Sequence, residues 1–339
     1  MKIPFCKTTL GIEEKKAICD VIDSGWVVMC EKTKQFETGF AKYIGAKHAV
    51  FVDSGTAALD LSLKYLIKYE KIDRDYPFEV PSLTFTATAE VVVHNDLALE
   101  FGDVNEDYCI TPHLNSLPVH LMGNRAKGGA LIYDSAHRIE KGDVKGSGAL
   151  WCYSFYATKN ITTIQGGMIA TNNDEADKWL RLARDHGVTS GTTERYKKGK
   201  WEYDIEFVGW REKADDVRAA VGIEQLKKLP IITGARNYLV SEYNKAFAKT
   251  HKGNHLYPIL VNDRDVFMKY MNEKEIQCSV HFLPLHKMKA YKTFYHDENL
   301  NNTEFLGEHL VSLPLYPGLS KDEMDYIIDS VLKSKQLYV

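Results

Sequence analysis

The feature that most constrains the fold is a series of short apolar segments that do not alternate with polar residues. His48-Ala49-Val50-Phe51-Val52, Leu97 to Val104, Leu117 to Leu121, Ala130 to Tyr133, Leu150 to Phe155 and Met168 to Ala170 are each a few residues long, and several are apolar at consecutive positions. A strand with water on one face alternates, whereas a strand covered on both faces need not. Between these segments the period changes. Leu59, Leu63 and Leu66 recur at helical spacing, and Ala176, Trp179, Leu180 and Ala183 form one stripe of a helix that starts near Asp174 and meets a stop at Gly187. Covered strands separated by amphipathic helices predict an α/β architecture with a mostly parallel sheet.

Beyond this region the spacing predicts a helix over Asp215 to Leu229 with Ala219, Ile223, Leu226 and Leu229 inward, and another, after Pro230, over Arg236 to Lys249. The rest carries short strands, loops with Pro258, Pro284, Pro314 and Pro317, and a terminal helix near Lys321 to Lys335. A chain of 339 residues has room for two domains. The expected division is a large α/β domain over 1–234 with an N-terminal arm, and a smaller α+β domain over 235–339.

Composition excludes several classes of function. Lys and Arg total 43 against 46 for Asp and Glu, a formal charge of −3, which argues against a nucleic-acid or membrane-surface binder working through bulk charge. No apolar run reaches the ~18 residues of a membrane span, and Met1-Lys2-Ile3-Pro4-Phe5 lacks the pattern of a secretory leader. Cysteines at 6, 19, 30, 109, 152 and 278 form no Cys-x-x-Cys pair, and the twelve histidines show no metal spacing, so no metal site is expected and the thiols suit a reducing cytoplasm. There is no Gly-x-Gly-x-x-Gly and no Gly-x-x-x-x-Gly-Lys-[Ser/Thr].

Three places carry candidate chemistry. Ser54-Gly55-Thr56 stands between a predicted strand and a predicted helix. Glycine lets the backbone approach an anion, the helix N-terminus supplies free N–H groups, and Thr56 adds a hydroxyl. The triplet is also a good helix cap. Asp134 ends an apolar strand in Tyr133-Asp134-Ser135-Ala136-His137, where parallel sheets place ligands. It fits a metal ligand, a base, an ion-pair partner for a cationic ring, or a cap of the next turn. Lys159 follows another strand end, in Ser154-Phe155-Tyr156-Ala157-Thr158-Lys159-Asn160 ahead of Gly166-Gly167-Met168, and alone reads as a surface charge. Phosphate-binding hydroxyls, a carboxylate and an amine at strand ends facing one crevice together suggest a pyridoxal phosphate site.

The chain resembles the DegT/DnrJ/EryC1/StrS family of sugar aminotransferases. The matching segments run in order from Ser24-Gly25-Trp26 and Phe36-Glu37 through Asp53-Ser54-Gly55-Thr56-Ala57-Ala58-Leu59, Pro81-Ser82-Leu83-Thr84-Phe85-Thr86-Ala87-Thr88 and Pro118-Val119-His120. They continue with Asp134-Ser135-Ala136-His137, Ser154-Phe155, Lys159-Asn160, Gly166-Gly167-Met168, Arg184-Asp185-His186-Gly187, Ala219-Ala220-Val221-Gly222, Gln225-Leu226 and Leu313-Pro314-Leu315-Tyr316-Pro317. The resemblance implies the fold-type-I pyridoxal phosphate (aspartate aminotransferase-like) fold. It makes Lys159 the Schiff-base lysine, Asp134 the partner of the pyridinium nitrogen, His137 a neighbour of the phenolic oxygen and Phe85 the aromatic on the ring face. Gly55, Thr56 and Ser154 would hold the phosphate. His137 and Phe85 also fit as plain core residues.

The family completes the phosphate site from the neighbouring subunit, through a segment that here reads Gly209-Trp210-Arg211-Glu212-Lys213. Lys213 stands where the family has Arg or Asn and is the expected contact; Arg211 is the weaker candidate, and a solvated charge cluster is the alternative. His281, His286 and Tyr316 resemble segments that meet the sugar nucleotide. Arg184 and His186 read as helix-end structure. Cys30 replaces a usual glycine and Tyr133 a usual acid, and two stretches, Asp103 to Pro118 and Gly123 to Asp134, are short against the family pattern. A plain loop is expected over Gly123 to Ala130, which is too short for a helix with its turns.

The implied activity is that of a homodimeric transaminase with shared active sites. It would take an amino group from glutamate, release 2-oxoglutarate, carry the group as pyridoxamine phosphate and pass it to a nucleotide-linked keto-sugar. Ser24-Gly25-Trp26 resembles members that aminate C4 of 4-keto-6-deoxy sugars. Two alternatives are a dehydratase of the same fold, which Lys159 opposes because that branch carries His there, and a non-catalytic pyridoxal phosphate sensor or scaffold.

Overall fold

The elements along the chain are α1 (Ile12–Asp23), α2 (Glu31–Ile44), β1 (His48–Val52), α3 (Gly55–Lys68), β2 (Phe78–Pro81), α4 (Thr86–His94), β3 (Leu99–Gly102), a 3-10 turn (Leu121–Gly123), β4 (Ile132–Asp134), β5 (Leu150–Ser154), β6 (Gly167–Thr171) and α5 (Asp174–Ala183). They continue as α6 (Asp216–Phe247), β7 (Tyr257–Leu260), α7 (Arg264–Glu273), α8 (Asn301–His309), β8 (Leu310–Leu313) and α9 (Lys321–Lys333). The structure is a computed structural model, and it describes residues 2–69, 71–189, 201–296 and 298–337. The chain divides into two units, each assembled from separate stretches: Leu10–Asp73 with Leu131–Lys228, and Met1–Thr9 with Arg74–Ala130 and Leu229–Val339.

The first unit is built on a four-stranded sheet in the order β1-β6-β5-β4. β4 and β5 pair in parallel, while β6 runs antiparallel to both β5 and β1, so three strands share a direction and β6 opposes them. β1, β5 and β6 are buried almost throughout, as their unbroken apolar runs predict. α5 buries Ala176, Trp179, Leu180 and Ala183, the expected stripe, and ends at Ala183, before Gly187. An aromatic cluster fills the space beside the sheet: Phe36 meets Phe51 edge-on at 5.1 Å and Phe40 meets Tyr153 at 5.0 Å. Ala219-Ala220-Val221-Gly222 gains its reason here, because a Cβ on Gly222 would stand 2.6 Å from Phe36 Cζ. A small residue lets α6 close on that ring.

Phe36-Glu37 and Arg184 also find a structural account. Glu37 is buried, accepts the Phe51 N–H at 2.9 Å, and binds Arg184 at 2.5 Å and Arg181 at 2.7 Å. Burial pushes this carboxyl up, but the Arg184 and Arg181 guanidinium groups outweigh it and hold the value below the usual carboxylate range.

The second unit contains the parallel pair β2 and β3 and the antiparallel pair β7 and β8. Tyr243, Tyr257, Phe267, Met271, Leu313, Ile327 and Val331 are the centre of its core. Two expectations are corrected. Leu117 to Leu121 is not a strand; it carries bridge contacts and runs into the 3-10 turn, and the nearest pairing to β2 is a single bridge from Ser116 to Glu79. Pro230 does not separate two helices, because α6 runs through it. The ring sits on the exposed side, and Leu229, Ile232, Arg236, Leu239 and Tyr243 continue one buried face past it. That burial offsets the roughly 3 kcal/mol that an interior proline costs a helix. Gly123 to Ala130 is, as expected, a connection without a helix beyond the 3-10 turn.

Candidate active site

Six of the expected cofactor and catalytic residues, Gly55, Thr56, Asp134, His137, Ser154 and Lys159, belong to the first unit, as do Arg211 and Lys213. Gly55 opens α3, whose N-cap Ser54 accepts the Ala57 N–H at 3.0 Å. The Ala58 N–H is taken by the Ser54 carbonyl at 3.1 Å. The N–H groups of Gly55 and Thr56 are left without an acceptor among the described residues. A helix N-terminus with free donors is suited to an anion. β5 and β6 bring Ser154 and Gly167 opposite one another, and Val52, at the end of β1, is also opposite Gly167. The approach is close: a Cβ on Gly55 would lie 2.8 Å from the Ser154 Cβ, and one on Gly167 would lie 2.1 Å from the Ser54 carbonyl oxygen. The turn is therefore backed by atoms that leave no room for added side chains, and its open side carries the donors.

Asp134 ends β4 and is buried, with Oδ1 accepting the Ala136 N–H at 2.9 Å. His137 is buried nearby in the chain. The Ser135 hydroxyl is buried without a hydrogen-bond partner among the described residues. Lys159 sits on the turn after β5, where its N–H reaches the Tyr156 carbonyl at 3.0 Å. Burial pulls its amine down to about 8, and the Asp134 charge keeps it from falling further. An amine, a carboxylate that acts on it, and a cradle of N–H donors with a serine hydroxyl are the donor set that pyridoxal phosphate requires. The residues present fit the group.

The segment after residue 209 is held by its main chain. The Trp210 carbonyl accepts the His186 N–H at 2.9 Å, Glu212 N–H donates to the Arg184 carbonyl at 2.9 Å, and Glu212 carbonyl accepts the Asp53 N–H at 2.9 Å. Within it, Lys213 is ion-paired to Asp185 at 2.7 Å, whereas Arg211 is exposed and its side chain has no partner among the described residues.

The remaining expected residues belong to the second unit. Phe85 is the N-cap of α4, 59% exposed and 6.0 Å from Phe282. His281 is partly exposed, stacks on Phe5 at 5.2 Å and bonds through Nδ1 to Ser312 at 3.0 Å. His286 is buried, with Nδ1 bonded to Ser82 Oγ at 2.7 Å and Nε2 to Glu304 at 2.6 Å. Tyr316 is fully buried in its own unit's core. The Ser82–His286–Glu304 chain was not foreseen, because its members lie far apart in sequence. The Glu212 and Asp53 carboxyl groups, which meet in the first unit, were missed for the same reason.

The sequence pattern of the DegT/DnrJ/EryC1/StrS aminotransferase family matches residues 8–332. SpsC of Bacillus subtilis, a spore coat polysaccharide biosynthesis protein, is 31% identical over 97% of this chain and 96% of its own length. Spr1654 of Streptococcus pneumoniae, solved in its PMP form, superposes with a TM-score of 0.85 at 25% identity, covering 98% of this chain and 99% of that one. PseC of Helicobacter pylori, an aminotransferase of pseudoaminic acid biosynthesis, shares the fold with a TM-score of 0.87 at 23% identity, over 98% of this chain and 99% of that one. Family and fold together define a pyridoxal-phosphate-dependent aminotransferase of fold type I. The chain belongs to the DegT/DnrJ/EryC1/StrS aminotransferase family.

Proposed function

We propose that the enzyme moves an amino group from glutamate to a nucleotide-linked keto-sugar, at C4 of a 4-keto-6-deoxy sugar, and works as a homodimer in which each subunit completes its partner's site. The observation that carries this reading is the gathering of Lys159, Asp134 and the Ser54-Gly55-Thr56 turn in one unit. SpsC, named for polysaccharide biosynthesis, supports a sugar acceptor. Exposed apolar residues Ile12 and Ile22 on α1, with Trp26, Val27 and Val28 after it, support a second copy, since a surface of this kind is commonly covered by a partner.

Bound pyridoxal phosphate supplies an electron-accepting ring on which an amino group and a proton can leave one substrate and pass to another. The protein supplies the rest. With a value near 8, the Lys159 amine is partly neutral at neutral pH, which suits a nucleophile and then a base that carries the proton. Asp134, fixed at the end of β4, would keep a ring nitrogen protonated. Gly55, Thr56 and Ser154 would hold the phosphate, with His137 beside the ring. Of the residues expected to meet the sugar, His281 keeps an exposed edge, while His286 and Tyr316 would act by supporting their segments.

A phosphate dianion also calls for a cation. Arg211 has the uncommitted side chain and Lys213 the ion pair, so we assign the cross-subunit contact to Arg211. Arg211→Ala is expected to weaken cofactor binding about 10-fold, the worth of one exposed charge-assisted contact, and Lys213→Ala to weaken it less. The reverse order in a cofactor titration would return the role to Lys213.

The whole reading is tested by incubating the enzyme with glutamate and a panel of nucleotide keto-sugars. An amino sugar and 2-oxoglutarate are the expected products. A protein that retains its cofactor yet aminates none of the panel would fit the sensor reading instead.

A further inference from the structure

Glu212 lies at the end of β1, where the Asp53 N–H bonds to its carbonyl and Lys213 forms an antiparallel bridge to Val52. Its side chain is hydrogen-bonded to that of Asp53, carboxyl to carboxyl. Two carboxylates in such contact repel strongly, which favours keeping a proton on Glu212. The surroundings offer little relief. On α3, Asp60 is paired with Lys64 at 2.5 Å, and Lys64 also lies 5.2 Å from the Trp210 ring centre. On α6, Arg218 pairs through Nε with Asp215 at 2.8 Å and donates from Nη1 to the Asp53 carbonyl at 3.2 Å. Lys213 is turned to Asp185. Each of these cations is paired with another acid, and among the described residues neither the Asp53 nor the Glu212 carboxyl has an ion pair of its own.

We propose that Glu212 is a positioning residue whose protonated carboxyl ties the 209–213 segment to Asp53 and so holds the adjoining Ser54-Gly55-Thr56 turn ready for the cofactor phosphate. The inference rests on reading that turn as the phosphate site. Partial burial, the Asp53 charge with its hydrogen bond, and Asp60 raise the Glu212 carboxyl to about 7, with Lys64 opposing. Because the value is raised in the folded protein, the tie is complete at lower pH and is lost as the pH rises through about 7.

The test is the affinity for pyridoxamine phosphate at pH 6 and pH 8, followed by calorimetry, in the wild type, Glu212→Gln and Asp53→Asn. This probe makes no covalent bond to Lys159, and its own titration is common to all three proteins. In Glu212→Gln and Asp53→Asn an amide donates in place of the carboxyl proton and does not titrate. The wild-type Kd is expected to rise roughly tenfold relative to either variant between the two pH values, as the competent fraction falls. If Glu212→Gln does not fold, Asp53→Asn gives the same comparison. A ratio unchanged with pH, with binding intact, overturns the tie and leaves the phosphate site standing. No binding to the wild type at either pH overturns both.

Discussion

Lys159→Ala is expected to take up pyridoxal phosphate without the yellow band that borohydride removes, and to lose turnover by at least the roughly 10²–10⁴-fold that a positioned proton carrier contributes. The expectation follows from placement as well as identity. Lys159 is fixed by a turn at the end of β5, its amine lowered by burial and steadied by Asp134. Most surface lysines have neither influence. The variant should fold, since the amine forms no ion pair among the described residues. Absorption spectra before and after borohydride, taken with wild type and variant, settle the matter. A reducible band that persists in the variant would place the covalent attachment at another residue and strip Lys159 of its role.

The second large effect is on stability. Glu37→Ala is expected to cost about 3–5 kcal/mol, the range seen when one member of a buried charge cluster is removed. Arg184 is buried and would keep only the Phe51 carbonyl, at 2.6 Å, while Arg181 would lose one of its two acidic partners. Because the Glu37 carboxyl is held below its ordinary range, its contribution is present at neutral pH and is lost as the pH falls through the depressed value. The readout is the urea midpoint at pH 7 and at acid pH. A wild-type midpoint at pH 7 would mean that the two arginines find other partners.

The strand ends that carry the candidate site were legible in the sequence because local pattern decides them. β1 leads to Ser54-Gly55-Thr56, β4 ends on Asp134 and β5 ends on Ser154, each where an apolar run meets polar residues. The stripe of α5 was equally plain. What the pattern does not encode is pairing at long range. β6 reads as one more apolar strand, and nothing in its five residues announces that it opposes its neighbours. Leu117 to Leu121 has the composition of a strand but finds no partner ladder. Pro230 reads as a break because local propensity is all that a sequence displays, while the buried face that carries α6 past it is a tertiary effect. In the candidate site, residue types drew attention to Lys159 and Asp134. The commitment of Lys213 to Asp185, and the meeting of Glu212 with Asp53, depend on how separate segments are brought together, which local pattern does not display.

The manner in which residues 210–212 are anchored has a consequence for how such an enzyme can drift. The hydrogen bonds to Asp53, Arg184 and His186 are all made through peptide groups. Peptide groups are the same whatever side chain is attached, so the path of this segment survives recoding. Trp210 and Arg211 can therefore be exchanged one at a time, altering charge beside the phosphate turn while its peptide anchors remain. A scaffold of this kind lets single substitutions change the charge beside the turn while the path of the segment is kept.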